Sequence, residues 1–334
     1  MRFEGNLTNH FNEKGRLGML YQIYGMVISS DELFPGMIPS MEAKPDVQIR
    51  FSSNSEHFSL PYDWYIQWYI PEKEPWLSLA KIDNGYILRF NELADFIINK
   101  NGNEIICIPK PRIPENTIKH LLLDQVIPLV INLRGGEAFH ASAVLGPHGV
   151  IAFAGPAGSG KSTIAGSLLK EGYPLVSDDC LTLLEKNQDI YTIPAYPGLR
   201  LWDDTKAYLF GEYRDKSVAH YTRKLRLDIE EKPESYSIEP KPLRRLYDIV
   251  NSPETDERFD IVIEKLSPRD SFMALVRCAF RLDITDHHML RRQFHFLGRI
   301  ASRISVCRLT FPRYFDFLPA AREAIVNDLK DLDN

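Results

Sequence analysis

One stretch leaves this chain little choice of local structure. The apolar run at 149–154, GVIAFA, leads straight into Gly155-Pro156-Ala157-Gly158-Ser159-Gly160-Lys161-Ser162-Thr163, and then into IAGSLL. The run before the glycines has the length and branching of a buried strand, and the run after them has helical spacing. Three glycines within six residues suit neither element, so the spacing predicts a strand, a tight loop and a helix. The loop matches G-x-x-x-x-G-K-[ST]. Without Cβ atoms in the way, successive backbone N–H groups turn inward and surround a phosphate, and the helix N-terminus adds its positive dipole. Gly155 through Thr163 are therefore the expected nucleotide-binding residues. Lys161 is placed to meet the outer phosphates as a point charge, and the Ser162 hydroxyl to bind Mg²⁺. ATP and Mg²⁺ are the expected cofactors. Such a loop serves motors, switches and kinases alike, so other residues must say what becomes of the phosphate.

Asp178 and Asp179 close the next apolar segment, YPLVS. A strand near a phosphate loop commonly carries one acid that holds Mg²⁺ directly or through water. A second carboxylate is more than metal binding requires. At a strand end one acid can face the metal and the other an incoming hydroxyl, whose proton a carboxylate accepts during phosphoryl transfer. His140, in AFHASAV, precedes the loop and is a candidate for assistance, although a lone histidine there is more often packed and hydrogen-bonded.

Composition narrows the partners. The chain has 334 residues, 44% hydrophobic and 25% charged, with a formal net charge of −5, ordinary values for a globular protein of one large or two modest domains. The negative balance argues against nucleic acid as a partner. The four cysteines are widely spaced, with no metal-ligand pattern, and read as free thiols in a reducing compartment. The first fifteen residues lack the apolar run of a signal peptide, and no stretch has the length of a membrane span, so a cytoplasmic chain with no membrane partner is expected.

Two regions differ in pattern. Residues 1–113 are rich in short β-branched and aromatic runs separated by Asp83-Asn84-Gly85 and Asn101-Gly102-Asn103, which predict a meander of antiparallel strands and a docking domain for a substrate or partner. Prolines 109, 111 and 114 read as a linker. A helical segment follows, capped by Asn116 or Thr117, kinked at Pro128 and stopped at Gly135-Gly136. From His140 onward strands and helices alternate, so residues 114–334 are expected to be an α/β catalytic domain, and the fold class of the chain is α/β (α+β). DKSVAHYTRK, from 215 to 224, and EEKPESYSIEPKP, from 230 to 242, are polar and read as mobile loops.

The segment from His140 to Asp179 resembles the catalytic domain of the bacterial HPr serine kinase/phosphorylase family. That family has a histidine ahead of its P-loop, a loop ending GKS, a short helix and a G-H-x-L-V-A-D-D strand. Here EGYPLVSDD stands in the matching place, with no gap between Lys161 and Asp179. The resemblance implies an HPr-kinase/PEP-carboxykinase-like P-loop domain with a mixed sheet. It implies Asp179 as the base for an acceptor serine, and Asp178 as a support for Mg²⁺ or an orienting partner for His140. The family's Leu-Glu-Ile-Arg-Gly segment, a source of a second metal ligand, is absent. YPGLRLWDD lies at about that distance and offers Asp203 or Asp204, the latter taken with Ser162 and Asp178 as the metal set. For the family's catalytic arginine the nearest equivalents are Arg244 and above all Arg245, with Arg223 and Lys224 as rivals. FHASAV, GPAGSGKST, LVSDD, AYPGLRLW and VCRLTFPR together look like the kinases of lasso-peptide biosynthesis, which phosphorylate the C-terminal serine of a precursor peptide. The expected partner is thus a peptide or small protein bearing a serine, and, because the HPr kinases assemble, a homo-oligomer. The alternatives are a nucleotide-dependent switch, for which paired acids are unneeded, and a small-molecule kinase. A carboxykinase would need a Lys, His and Arg set at motif spacing that is not found.

Overall fold

The computed structural model describes residues 10–11, 17–34, 36–42, 44–53, 62–69, 74–212, 215–227, 229, 233–251, 260–281 and 283–330. Most of the N-terminal segment read for a signal peptide, part of the 230–242 loop and the last two residues of the closing helical segment lie outside them. The chain divides into two units, Met1–Arg134 with Ala219–Tyr221, and Gly135–Val218 with Thr222–Asn334.

The first unit is built on one sheet. Its strands are β1 (His10–Phe11), β2 (Leu17–Ile23), β3 (Met26–Ser30), β4 (Ile38–Pro39), β5 (Val47–Phe51), β6 (Trp64–Tyr69), β7 (Pro75–Ile82), β8 (Gly85–Phe90), β9 (Ala94–Asn99) and β10 (Glu104–Pro109). They run in the order β1-β2-β3-β5-β10-β9-β8-β7-β6, with β4 on β2. The antiparallel meander read from the turn residues is β6 to β10. Gly85, at φ 148°, makes the β7–β8 turn, where an added Cβ would fall 1.9 Å from the Ile98 carbonyl oxygen. β5 pairs parallel to both β3 and β10, a feature the short strand runs do not announce.

The linker reading of the three prolines is corrected, and with it the boundary at 113. A helical rod follows them, Glu115–Leu121, Leu122–Val126 and Ile127–Leu133, and it belongs to the first unit. Its C-terminal turn packs on the β9–β10 turn: Gly102 is so close to Val130, Leu133 and Arg134 that a Cβ would meet them at 3.2–3.5 Å, and Arg134 reaches Asp46 at 3.1 Å. Pro128 lies in the first turn of the third segment. The turn just before it, Leu122–Val126, is wound as π-helix, a wider winding that accommodates the missing donor. Neither Asn116 nor Thr117 is the cap. Pro114 holds that position, and the Thr117 hydroxyl instead accepts from the His220 backbone N–H at 3.1 Å and bonds its ring at 2.9 Å. That pairing removes Ala219–Tyr221 from the mobile loop expected there.

The second unit is a three-layer α/β domain. Its strands are β11 (Glu137–Phe139), β12 (Ala141–Gly146), β13 (Gly149–Ala154), β14 (Leu175–Ser177), β15 (Leu181–Lys186), β16 (Asp189–Ile193), β17 (Leu199–Leu201), β18 (Asp215–Ser217), β19 (Leu225–Leu227), β20 (Lys241–Asn251), β21 (Val262–Lys265) and β22 (Ser305–Phe311). The main sheet runs β11-β15-β16-β20-β13-β12-β14, with β22 on β20 and β21, and a small sheet runs β17-β19-β18. The sheet is mixed: β13, β20 and β22 are parallel, and β12 is antiparallel to β13 and β14. One face packs on the helices Lys161–Lys170 and Leu318–Lys330, around Phe153, Leu168, Leu309 and Ile325. The other packs on Pro268–Cys278 and His287–Arg303, around Phe139, Leu275 and Ile300. β13 is apolar throughout because both its faces are covered. All four cysteines are free and buried. No helix among the described residues is long and apolar enough to cross a membrane.

Phe153 is fully buried and stacks on Tyr247 with centroids 5.7 Å apart, joining β13 to β20 behind the phosphate loop. Phe153→Ala is expected to destabilise the second unit by about 3–5 kcal/mol, read from urea unfolding by circular dichroism.

Candidate active site

β13 ends at Ala154 beside Asp248 of β20, and the chain must turn at once. Gly155, at φ 140°, makes the turn against the neighbouring strand, where a Cβ would sit 2.7 Å from the Ile249 carbonyl oxygen. Gly160, at φ 97°, is the N-cap of the helix Lys161–Lys170, and no side chain caps it. Its first-turn N–H groups have no acceptors inside the helix, and they open onto a cavity of about 430 Å³. Lys161 donates its ammonium to the Gly155 and Pro156 carbonyl oxygens at 3.0 and 2.9 Å, a short step from that cavity. Ser159 Oγ is buried without a hydrogen-bond partner. A loop with no Cβ at its turns, open N–H groups and a lysine held only by carbonyls is a cradle whose donor set fits a phosphate chain.

The two aspartates part company. β14 stops at Ser177, and Asp179 takes a left-handed conformation at φ 64°, a tight turn closed by the Cys180 N–H on the Asp178 carbonyl oxygen at 2.9 Å. Aspartate tolerates this region better than most side chains, at roughly 1 kcal/mol. The twist sends Asp178 inward and Asp179 into the cavity. Asp178 has no exposed side-chain surface. Its Oδ1 accepts from the Ser142 and Ser162 hydroxyls at 2.6 and 2.8 Å, and its Oδ2 from the Arg200 backbone N–H at 2.9 Å. Asp179 keeps 14% exposure, with Arg200 Nε at 3.4 Å and Lys224 Nζ at 4.0 Å from its Oδ2.

His140, between β11 and β12, lines the cavity, and its Nδ1 lies 3.2 Å from the backbone carbonyl oxygen of Asp179. The expectation that Asp178 orients it is corrected: His140 is held by the neighbouring backbone, since the Asp178 oxygens are engaged by Ser142, Ser162 and Arg200. Burial, and then the Lys161 charge, push the His140 pKa below the usual 6.5, with Asp179 opposing, so the ring is neutral at pH 7. Burial likewise lowers Lys161, again opposed by Asp179.

The expected metal set is brought together in part. Ser162 and Asp178 are hydrogen-bonded to each other. Asp204 lines the same cavity, but its carboxylate accepts from the Thr205 N–H and hydroxyl at 2.6 and 3.2 Å. Among the described residues no three His, Cys, Asp or Glu side chains converge as a metal cage. A serine hydroxyl with one or two carboxylates suits Mg²⁺, which keeps waters and shares phosphate oxygens.

Arg245 lies elsewhere. It sits on β20 opposite Ile151, three residues before the end that carries the phosphate loop, and is buried with Ser305 and Cys307 at 3.0 Å and Asp328 at 3.5 Å. The expectation of a catalytic Arg245 is corrected to a tie between β20, β22 and the last helix. Arg244 is half-exposed and donates to the His148 carbonyl oxygen. Besides Lys161, the cations that line the cavity are Arg200, Lys224 and Arg313, of which only Lys224 stood among the sequence candidates. Arg200 was hidden in GLRLW, where an arginine on a three-residue strand looks like any other. Trp202 and Tyr314, 45% and 56% exposed, flank the cavity with Phe311 and Phe315.

No family model matches the chain, and neither does any curated protein. Among solved structures it is similar to the HPr(Ser) kinase/phosphatase from Coxiella burnetii, at 14% identity and a TM-score of 0.34, over 59% of this chain and 99% of that one.

Two outcomes follow from the geometry. The His140 ring should titrate below pH 6.5 when followed by NMR. Because the unfolded chain binds that proton first, stability falls as pH drops from 6.5 through the folded-state value. Arg245→Ala should lower the melting temperature followed by circular dichroism, because it removes the ties to Ser305, Cys307 and Asp328.

Proposed function

We propose that the chain is a Mg²⁺- and ATP-dependent kinase that phosphorylates a hydroxyl, the serine of a peptide or small protein. Within that class we put forward the C-terminal serine of a lasso-peptide precursor, the acceptor implied by the motif resemblance. One observation carries the reading: the left-handed Asp179 presents its carboxylate to the phosphate-loop cavity, while Asp178 holds the Ser162 hydroxyl behind it. A protein that only binds nucleotide has no use for the first of these.

In this reading the loop N–H groups and Lys161 hold the phosphates of ATP. Ser162 and Asp178 would hold Mg²⁺, which neutralises charge on the outer phosphates when bound. Asp179 accepts the acceptor's hydroxyl proton as that oxygen forms its bond to the terminal phosphorus. The bond from this phosphorus to the bridging oxygen breaks, and ADP leaves with the electron pair. Arg200 and Lys224 hold the Asp179 carboxylate in position. His140, neutral and bonded to the Asp179 backbone, fixes the turn. Trp202 and Tyr314 offer faces on which a base or an acceptor side chain can stack.

The test is mass spectrometry of serine-ended precursor peptides after incubation with the full chain and Mg-ATP. The expected result is a phosphoserine product, lost by roughly 100-fold or more in Asp179→Asn and in Lys161→Ala. Absence of product with every serine-bearing peptide, together with ATP hydrolysis by Asp179→Asn at the parental rate, would sink the proposal in favour of a switch.

A further inference from the structure

Four cations line the phosphate-loop cavity, and three of them are engaged. Lys161 is held by the Gly155 and Pro156 carbonyl oxygens, and Arg200 and Lys224 face Asp179. Arg313 differs. It lines the same cavity, is exposed, and among the described residues makes no hydrogen bond or ion pair. Its Nη2 lies 3.7 Å from the point a Cβ on Gly158 would occupy, at the crest of the loop. No carboxylate within that cavity is paired with it.

The segment that carries Arg313 is firmly seated. Phe311, the last residue of β22, places its ring 3.8 Å from where a Gly160 Cβ would be. Pro312 is buried, and its carbonyl oxygen accepts from the Tyr314 N–H at 2.9 Å. Phe315 stacks on Tyr208 with centroids 4.7 Å apart and 12° between planes, and its carbonyl oxygen accepts from the Tyr208 hydroxyl at 3.3 Å. The guanidinium is thus delivered to the loop crest from a backbone fixed on both sides. Its freedom from partners contributes nothing to the stability of the unit.

We propose that Arg313 is the catalytic arginine of this site, a cation supplied by the same chain that contacts the phosphoryl group in transit. The inference rests on the kinase reading above. A loop of this type wraps the inner phosphates with its N–H groups and leaves the terminal phosphate outside its crest, where Gly158 stands. As the bond to the leaving bridging oxygen breaks, negative charge grows on that oxygen and on the three equatorial oxygens. A planar guanidinium with several donors meets that charge in a way a point-charge ammonium does not. Arg313 takes the role that the family resemblance gave to Arg245, from the segment that follows β22.

The probe is ADP alone against ADP with Mg²⁺ and aluminium fluoride, which together mimic the planar phosphoryl group without any acceptor. Calorimetry on the full chain is expected to show the mimic bound at least about tenfold more tightly than ADP. Arg313→Ala should lose that gain while binding ADP within about threefold of the parent, and Arg313→Lys should recover only a small part of it. In the peptide assay the same variant should lower kcat by roughly 100-fold with a KM for ATP changed by less than about fivefold. Retention of the full gain by Arg313→Ala, or an equal loss for ADP and the mimic, overturns the assignment. So does a parent that binds ADP but shows no gain, which leaves the nucleotide reading standing. A parent that binds neither ligand overturns both. Because Arg313 is exposed and unpartnered, its variants should keep the parental melting temperature, which separates loss of contact from loss of fold.

Discussion

The site hangs on one buried carboxylate. Asp178 has no exposed side-chain surface, and an ionised group in that position is tolerated only with its hydrogen-bond sites filled. Three elements fill them. Ser142 comes from β12, Ser162 from the first turn of the phosphate-loop helix, and the Arg200 backbone from β17. The acid thereby locks the helix N-terminus, the antiparallel strand beside β13 and the small sheet into one frame. The Arg200 side chain returns to the Asp178 carbonyl oxygen at 2.8 Å, so the same residue that satisfies the carboxylate also braces the turn after it.

That turn sets the electrostatics of the cavity. Asp179 and Asp204 both line the cavity, and Arg200, Lys224 and Lys161 bring positive charge around Asp179. His140 stays neutral among these cations, because burial and the Lys161 charge both oppose its protonation.

Much of this was readable from residues alone. GPAGSGKST announced its own loop because three glycines in that spacing admit few backbone paths, and the context of strand and helix lay on either side. Turn residues marked the β6–β10 meander, where Gly85 and Gly102 take positive φ. The placement of the first boundary was not readable. The helical rod from Glu115 to Leu133 packs on the Gly102 turn through side chains that look equally suited to either unit. The place of the arginines was not readable for a related reason. Arg245 stands in the basic pair that the family resemblance matches to a catalytic arginine, but the parallel register of β20 with β13 sets it three residues behind the loop.

The sequence by itself determined that a glycine-rich loop joins a strand to a helix and that two acids follow it, since both depend on residues close in the chain and on backbone freedom at particular glycines. Tertiary structure alone decided which acid is buried, which faces the cavity, and which cations join it. Those outcomes depend on the left-handed turn at Asp179, on the return of β17 beneath it and on the exit of β22 past Gly158. The last two bring together residues 22 (Asp178 and Arg200) and 155 (Gly158 and Arg313) positions apart, and no local pattern records where such segments meet.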